Sequence, residues 1–258
     1  LRLFTWLRNT LRNRLRSTLA WRLLRSAGPR RVHIVSATRM DERTFWKTSA
    51  LGRSLSTWRG DPRLGPIEVA FENRLGLPAV YNAALDRAAP DDAVLFIHDD
   101  IWLDDPEWLP KLLVALRRFD VVGVAGNVRR VRDQVAWLFL KAGDDGRFWL
   151  DGGHLSGAVA HGPRPGGEVT YFGPSPAHCE LLDGLFIAAR KDVAARSGVR
   201  FDELFDFHFY DLDFCRTARQ AGLSVGTWPI AMTHQSKGAF NSPGWRSGLE
   251  RYRSKWKH

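Results

Sequence analysis

The decapeptide FIHDDIWLDD, residues 96–105, places one histidine and four aspartates within ten positions. Side chains alternate along an extended strand, so His98 and Asp100 fall on one face and Asp99 on the other. A carboxylate at a strand end is a hard oxygen donor suited to Mg²⁺ or Mn²⁺, ions commonly shared with substrate phosphates. The same spacing also fits a plain turn, where aspartate is common. Asp104, followed by Asp105 and Pro106, reads as the cap of the next helix.

A second acidic stretch, FDELFDFHFYDLDFCRTARQAG, covers residues 201–222. Asp211 and Asp213 lie at the start of the helix that this spacing predicts, where a carboxylate meets the positive dipole end. Asp213 is satisfied by pairing one turn on with Arg216 or Thr217. Asp211 adjoins His208 and Tyr210 in an aromatic-rich approach, and a partly enclosed carboxylate is what a general base requires. The helix start lowers its pKa and an aromatic enclosure raises it, a balance that sequence leaves open. His234, in MTHQS, ends the last apolar strand. It is a packed or surface residue unless that strand lies beside the one ending at Asp100, in which case it joins the same site.

The elements that must hold these residues alternate from residue 31 onward. RRVHIVSA, GPIEVAFEN, AVLFIHD and DVVGVAGN read as short apolar strands, separated by helical patterns around 42–58, in LPAVYNAALDRAA and in DPEWLPKLLVALRRF. Such alternation implies βαβ units and a parallel sheet covered on both faces. Ligands of such sheets bind beyond the carboxyl ends of the strands, where FIHDD sits. A glycine- and proline-rich excursion occupies 128–178. LLDGLFIAAR then resumes strand character, FYDLDFCRTARQAG is helical, and LSVGTWPIAMTH is a final strand. Asn82 reads as bonding locally within its helix.

The chain has 258 residues, 44% hydrophobic and 26% charged, which is a globular composition long enough for a real core. Its net charge of +10 is concentrated. Residues 1–31 hold nine arginines and no acid, leaving 29 basic against 28 acidic residues elsewhere. A nearly balanced main domain argues against nucleic acid as a partner. The first 30 residues read as a basic helix ended by Gly28-Pro29. Its leucines recur every fourth residue, a step that drifts about 40° each time and winds around the helix. Such a segment either lies on an anionic membrane surface, through residues 1–25, or docks on another domain. Two cysteines, Cys179 and Cys215, suit a reducing compartment. No apolar run reaches the roughly 20 residues that span a bilayer.

Taken in order, YNAAL, FIHDDIWL, LDGLFIAAR, FHFYDLDFC and THQS resemble the GT-A fold glycosyltransferases, and more narrowly their family 2-like branch, over residues 31–240. The resemblance implies a GT-A, Rossmann-like α/β fold with a mostly parallel central sheet and helices on both faces, preceded by the basic helix of residues 1–30 and followed by a basic-aromatic tail at 241–258. It implies an inverting, metal-dependent transferase, cytoplasmic or peripheral on the inner membrane face, using Mn²⁺ or Mg²⁺. Such an enzyme moves a sugar from a nucleotide-diphosphate sugar to the hydroxyl of a glycan or other acceptor. Carried over by residue, Asp100 is the metal ligand, His98 stands where the family's first Asp usually lies, and His234 completes the site. Asp211 is the catalytic base, with Tyr210 in place of the family's Glu, and Asp183 is on the acceptor side. Thr38, Arg39, Glu72, Asn73 and Asp99 fall where the donor nucleoside lies, and Trp137 or Trp149 would stack on a sugar. A phosphohydrolase or nucleotidyltransferase, and a degenerate glycan- or partner-binding domain, are the competing readings.

Overall fold

The structure is a computed structural model that describes residues 28–256 apart from 144 and 237. The expected basic helix of residues 1–30 lies almost wholly outside the described residues. The first half of the fold follows the alternation in sequence. Strand β1 (Val32–Ala37) leads into two short helices, α1 (Glu42–Thr48) and α2 (Ala50–Ser56). The sequence suggests one helix here. Ser49 divides it because its backbone is extended and its hydroxyl accepts from the Gly52 amide, restarting the helix as an N-cap. Edge strand β2 (Leu64–Ala70) tolerates Pro66, which has no amide to donate.

Helix α3 (Leu77–Arg87) and strand β3 (Ala93–Ile97) follow, and all five residues of β3 are buried. Beyond β3 come β4 (Ile101–Leu103), α4 (Trp108–Arg118), β5 (Val121–Gly123) and β6 (Ala125–Asn127). The excursion after Asn127 contains the hairpin β7 (Phe139–Ala142) and β8 (Phe148–Leu150), then β9 (Leu155–His161) and β10 (Glu168–Gly173). The last part comprises β11 (Ala177–His178), β12 (Leu181–Leu182), β13 (Phe186–Arg190), α5 (Lys191–Ser197), α6 (Tyr210–Gln220), β14 (Val225–Thr227), β15 (Met232–His234) and α7 (Pro243–Lys255).

Seven strands form the central sheet, in the order β11-β14-β5-β13-β3-β1-β2. It is mixed rather than all parallel. The β1–β2, β1–β3 and β5–β14 pairs are parallel, whereas β13 runs antiparallel to both β3 and β5 and β11 antiparallel to β14. The second sheet is ordered β12-β6-β9-β15-β4, with β10 added on β9. DVVGVAGN and LSVGTWPIAMTH each read as one strand, but each passes from one sheet into the other. The first breaks at Val124 between β5 and β6, and the second at Trp228-Pro229 between β14 and β15.

The core between these layers includes Tyr81, Phe96, Trp108, Phe119, Phe186 and Phe214. Each such side chain contributes roughly 1.5–3 kcal/mol on leaving water. Residues 241–258, expected as a tail, contain α7, whose Trp245, Leu249 and Tyr252 are buried against the body of the fold. Asn82 does not bond within its helix. Its amide donates to the Phe201 carbonyl at 2.9 Å and its oxygen accepts the Phe201 amide at 3.1 Å, tying α3 to the approach of α6. No helix among the described residues is long and apolar enough to cross a membrane.

Candidate active site

The three residues after β3 are held by backbone hydrogen bonds to three different parts of the fold. The His98 amide donates to the Leu185 carbonyl at 3.1 Å, the Asp99 carbonyl accepts from Leu51 at 3.1 Å, and the Asp100 carbonyl accepts from Gln235 at 3.0 Å. The strand ending at His234 does lie beside this segment, because β15 pairs antiparallel with β4 and sets His234 opposite Ile101. His98, Asp100 and His234 consequently bring one ligand atom each within 4.8 Å of one another.

His234 Nε2 is 3.3 Å from Asp100 Oδ2 and 3.0 Å from the Ser236 hydroxyl. Burial alone would raise the Asp100 carboxyl, but the His234 hydrogen bond and charge, with help from His98 and Ser236, bring it down to about 2. For His234 burial disfavours the charged ring, and Asp100 outweighs that and raises it. The carboxylate is therefore ionised and aimed at positive charge. Two imidazoles and a carboxylate, convergent and anchored, fit a divalent cation.

Tyr210 decides which nitrogen His98 offers. The Tyr210 hydroxyl donates to the Gly184 carbonyl at 2.9 Å and lies 2.9 Å from His98 Nε2. With its own proton committed, the hydroxyl accepts from Nε2–H, which leaves the His98 lone pair on Nδ1. Burial lowers the His98 pKa, and Asp100 only partly opposes this, so the ring is kept neutral. A neutral ring with a fixed tautomer is the form that ligates.

Asp211 enters from the first turn of α6. Phe209 before it has φ +68°, a left-handed conformation that costs a bulky residue strain and turns Tyr210 and Asp211 inward. The Phe209 ring is packed among Trp245, Gly248 and Tyr252 of α7. Asp211 Oδ2 accepts from the Gly184 amide at 3.0 Å. A side chain at 184 would meet the Tyr210 hydroxyl at 2.5 Å, so only glycine permits this approach. Burial raises the Asp211 carboxyl to about 7, nearby Asp183 adds to the rise, and the Leu212 and Gly184 amides oppose it. Of the two effects weighed in the sequence, enclosure prevails over the helix start.

Asp211 and Asp183 share with His98 and His234 a cavity of about 310 Å³, also lined by Trp137, Phe172 and Phe240. Trp137 is in this wall. Trp149, half exposed on β8, is not among the cavity's lining residues. A second cleft of about 410 Å³ collects Thr38, Arg39, Asn73 and Asp99 with Asp206, and Phe207 borders both spaces while stacking on His98. Burial raises the Asp99 carboxyl, an effect that a hydrogen bond from Thr38 partly offsets. Glu72, exposed at a left-handed turn with φ +47°, is not among the residues lining this cleft.

Asp104 is not the cap expected. Asp104 accepts from the Thr233 hydroxyl at 2.5 Å, and α4 starts after Glu107 without a side-chain cap. Asp105 accepts the Glu107 amide at 2.8 Å and pairs with Lys111. Asp213 pairs with Lys255 and with the Trp256 indole of the C-terminal segment, a longer reach than the one turn expected. Sequence reasoning missed Gly184, Ser236 and His161, which also line the cavity, as does His208, named only as a neighbour of Asp211. His161 had a visible signal, since it closes an apolar strand just before a glycine- and proline-rich turn, as His234 closes its own.

A model described as "Glycosyltransferase like family" matches residues 68–242. No curated protein matches the chain. Among solved structures, a mannosyltransferase from Pyrobaculum calidifontis, in complex with GDP-Man and Mn²⁺, is 13% identical with a TM-score of 0.44, over 87% of this chain and 61% of that one. GalNAc-T7, solved with UDP, GalNAc and Mn²⁺, is 9% identical with a TM-score of 0.47, over 86% of this chain and 48% of that one. The A197 protein from STIV is 7% identical with a TM-score of 0.43, over 82% of this chain and 97% of that one. The chain thus spans about half to three fifths of the length of the first two. These likenesses concern the path of the chain alone.

Proposed function

The chain belongs to this glycosyltransferase-like family, and from that premise we propose that it transfers a sugar from a nucleotide-diphosphate donor to an acceptor hydroxyl, with inversion at the anomeric carbon. The observation that carries the reading is that Asp211, raised toward neutrality, shares one cavity with His98 and His234, the two histidines that converge with Asp100. The donor nucleoside occupies the cleft of Thr38, Arg39, Asn73 and Asp99, and its diphosphate extends toward Asp100. The acceptor lies on the Asp183 and Trp137 side.

His98, Asp100 and His234 would hold the cation, with Mn²⁺ preferred over Mg²⁺ because two of three ligands are imidazoles. When bound, it supplies positive charge to the departing diphosphate. Asp211 takes the proton of the acceptor hydroxyl as its oxygen bonds to the anomeric carbon and the bond to the phosphate oxygen breaks. The Gly184 amide holds the Asp211 carboxylate in place for that transfer. The aromatic walls exclude water that would otherwise compete as acceptor.

The direct test is to incubate UDP- and GDP-sugars with the protein and Mn²⁺ and to measure slow hydrolysis and thermal stabilisation. Native protein should respond to at least one donor only with the cation, and Asp100→Ala should lose the response. Identical behaviour of both proteins, with and without chelator, refutes the site. We propose further that residues 1–28 attach the domain to an anionic membrane on the cytoplasmic face. Liposome binding that survives their deletion removes that part.

A further inference from the structure

The proposed mechanism leaves His161 and His208 of the cavity unused, and of the two His161 has its ring beside His234 of the cation cluster. His161 ends β9, which pairs parallel with β15 and sets His161 in register with His234, their ring centroids 5.9 Å apart. It is not one of the cation ligands. Among the described residues, the one group of three that brings ligand atoms within 4.8 Å of one another is His98, Asp100 and His234. His161 nevertheless lines the same cavity as Asp183 and Asp211.

Its two nitrogens are placed differently. Nδ1 is enclosed and has no hydrogen-bond partner, whereas Nε2 is not enclosed. A buried N–H left without an acceptor is rarer in proteins than an acceptor left unfilled. The ring proton therefore belongs on Nε2, which makes the ring a hydrogen-bond donor toward the cavity. The turn that follows is fixed in place. The Gly162 amide donates to the His234 carbonyl at 3.2 Å, the Gln235 side chain to the Pro163 carbonyl at 3.0 Å, and the Gly167 amide to the Thr233 hydroxyl at 3.1 Å. A donor whose backbone is paired on both sides, with β10 and with β15, beside a cation cluster yet outside its ligand set, suits an anion that the cation also binds.

We propose that His161 donates through Nε2 to the diphosphate of the nucleotide-sugar donor, at the phosphate that carries the sugar. The inference rests on the donor assignment made under Proposed function. The nucleoside cleft contains Asp99, on one side of Asp100, while His161 lies beyond His234. A diphosphate leaving the cleft past Asp100 and His234 meets His161 at its far end. The residue thus reads the second phosphate and stabilises it as it departs.

The test uses the full chain, Mn²⁺ and four probes, UDP, GDP, UMP and GMP, titrated by calorimetry into native protein, His161→Ala and His161→Gln. His161→Ala should weaken binding of the preferred diphosphate about 10- to 100-fold, the usual loss for a hydrogen bond to a charged group. The matching monophosphate and Mn²⁺ alone should bind within about twofold of native, and His161→Gln, which keeps an N–H, should recover part of the loss. An unchanged diphosphate affinity in His161→Ala overturns the inference while leaving the donor assignment intact. An equal loss for Mn²⁺ alone overturns it in favour of a metal ligand. Failure of native protein to bind either diphosphate removes the donor assignment, and the inference with it.

Discussion

Replacing Asp211 by asparagine should move activity and stability in opposite directions. The folded protein raises this carboxyl from an ordinary 3.8 to about 7. Between those values the folded chain keeps a proton that the unfolded chain has lost, so stability falls as pH rises through that window and stays lowered above it. About three pKa units correspond to roughly 4 kcal/mol at 1.36 kcal/mol each, an upper bound on what the ionised group costs the fold. Asparagine cannot ionise and its oxygen still accepts the Gly184 amide, but its NH2 group no longer accepts the Leu212 amide, a loss of about 1–3 kcal/mol. In urea unfolding, Asp211→Asn should therefore be more stable than native at pH 8, by about 1–3 kcal/mol, and less stable near pH 3.5, where only the lost Leu212 bond counts. Turnover should fall by about 10² to 10⁴, the range of general-base catalysis. The native pH–rate profile should rise with unit slope and level off above about 7, with bound cation shifting the midpoint down. Near-native turnover by the variant refutes the base. A variant less stable than native at pH 8 refutes the enclosed, strained carboxylate on which the base assignment stands.

Other expectations follow from single contacts. Tyr210→Phe frees the His98 tautomer and should weaken Mn²⁺ binding roughly 10- to 100-fold in calorimetry, and should lower stability by about 1–3 kcal/mol because the Gly184 carbonyl loses its donor. Gly248→Ala places a methyl group 2.8 Å from the Phe209 ring, so the turn bearing Asp211 must shift, and kcat should fall about 10- to 100-fold with KM little altered. Asn82→Ala leaves the amide and carbonyl of Phe201 unpaired and should cost roughly 2–5 kcal/mol in urea unfolding.

The strand-end acids and the order of the blocks were legible because local pattern governs them. FIHDD ends a strand whose apolar run announces it, and FYDLD opens a helix with a clear period. What sequence did not show depends on contacts between distant segments. The αL turn at Phe209 has no local signal, since a bulky residue disfavours it and its ring packs on the distant α7. For the same reason the C-terminal segment read as a tail: its buried face of Trp245, Leu249 and Tyr252 has meaning only against distant partners such as Phe148, Phe205 and Phe209. The split of DVVGVAGN between two sheets is similarly invisible, because a continuous apolar run does not say which sheet each half joins. Asp213 could be accounted for by near neighbours, and that sufficiency concealed Lys255.

The antiparallel β13 has a consequence for how the chain is made. It fills the gap between β3 and β5, although residues 98–185 separate it from β3 in the chain. Until those residues are synthesised, the entirely apolar AVLFI of β3 presents an unpaired edge. At about 5–20 residues per second the ribosome leaves that edge open for several seconds, and the same strand leads into His98 and Asp100. Nascent chains halted before residue 186 should therefore be prone to edge-to-edge association and should depend on a chaperone to keep the half-built sheet apart.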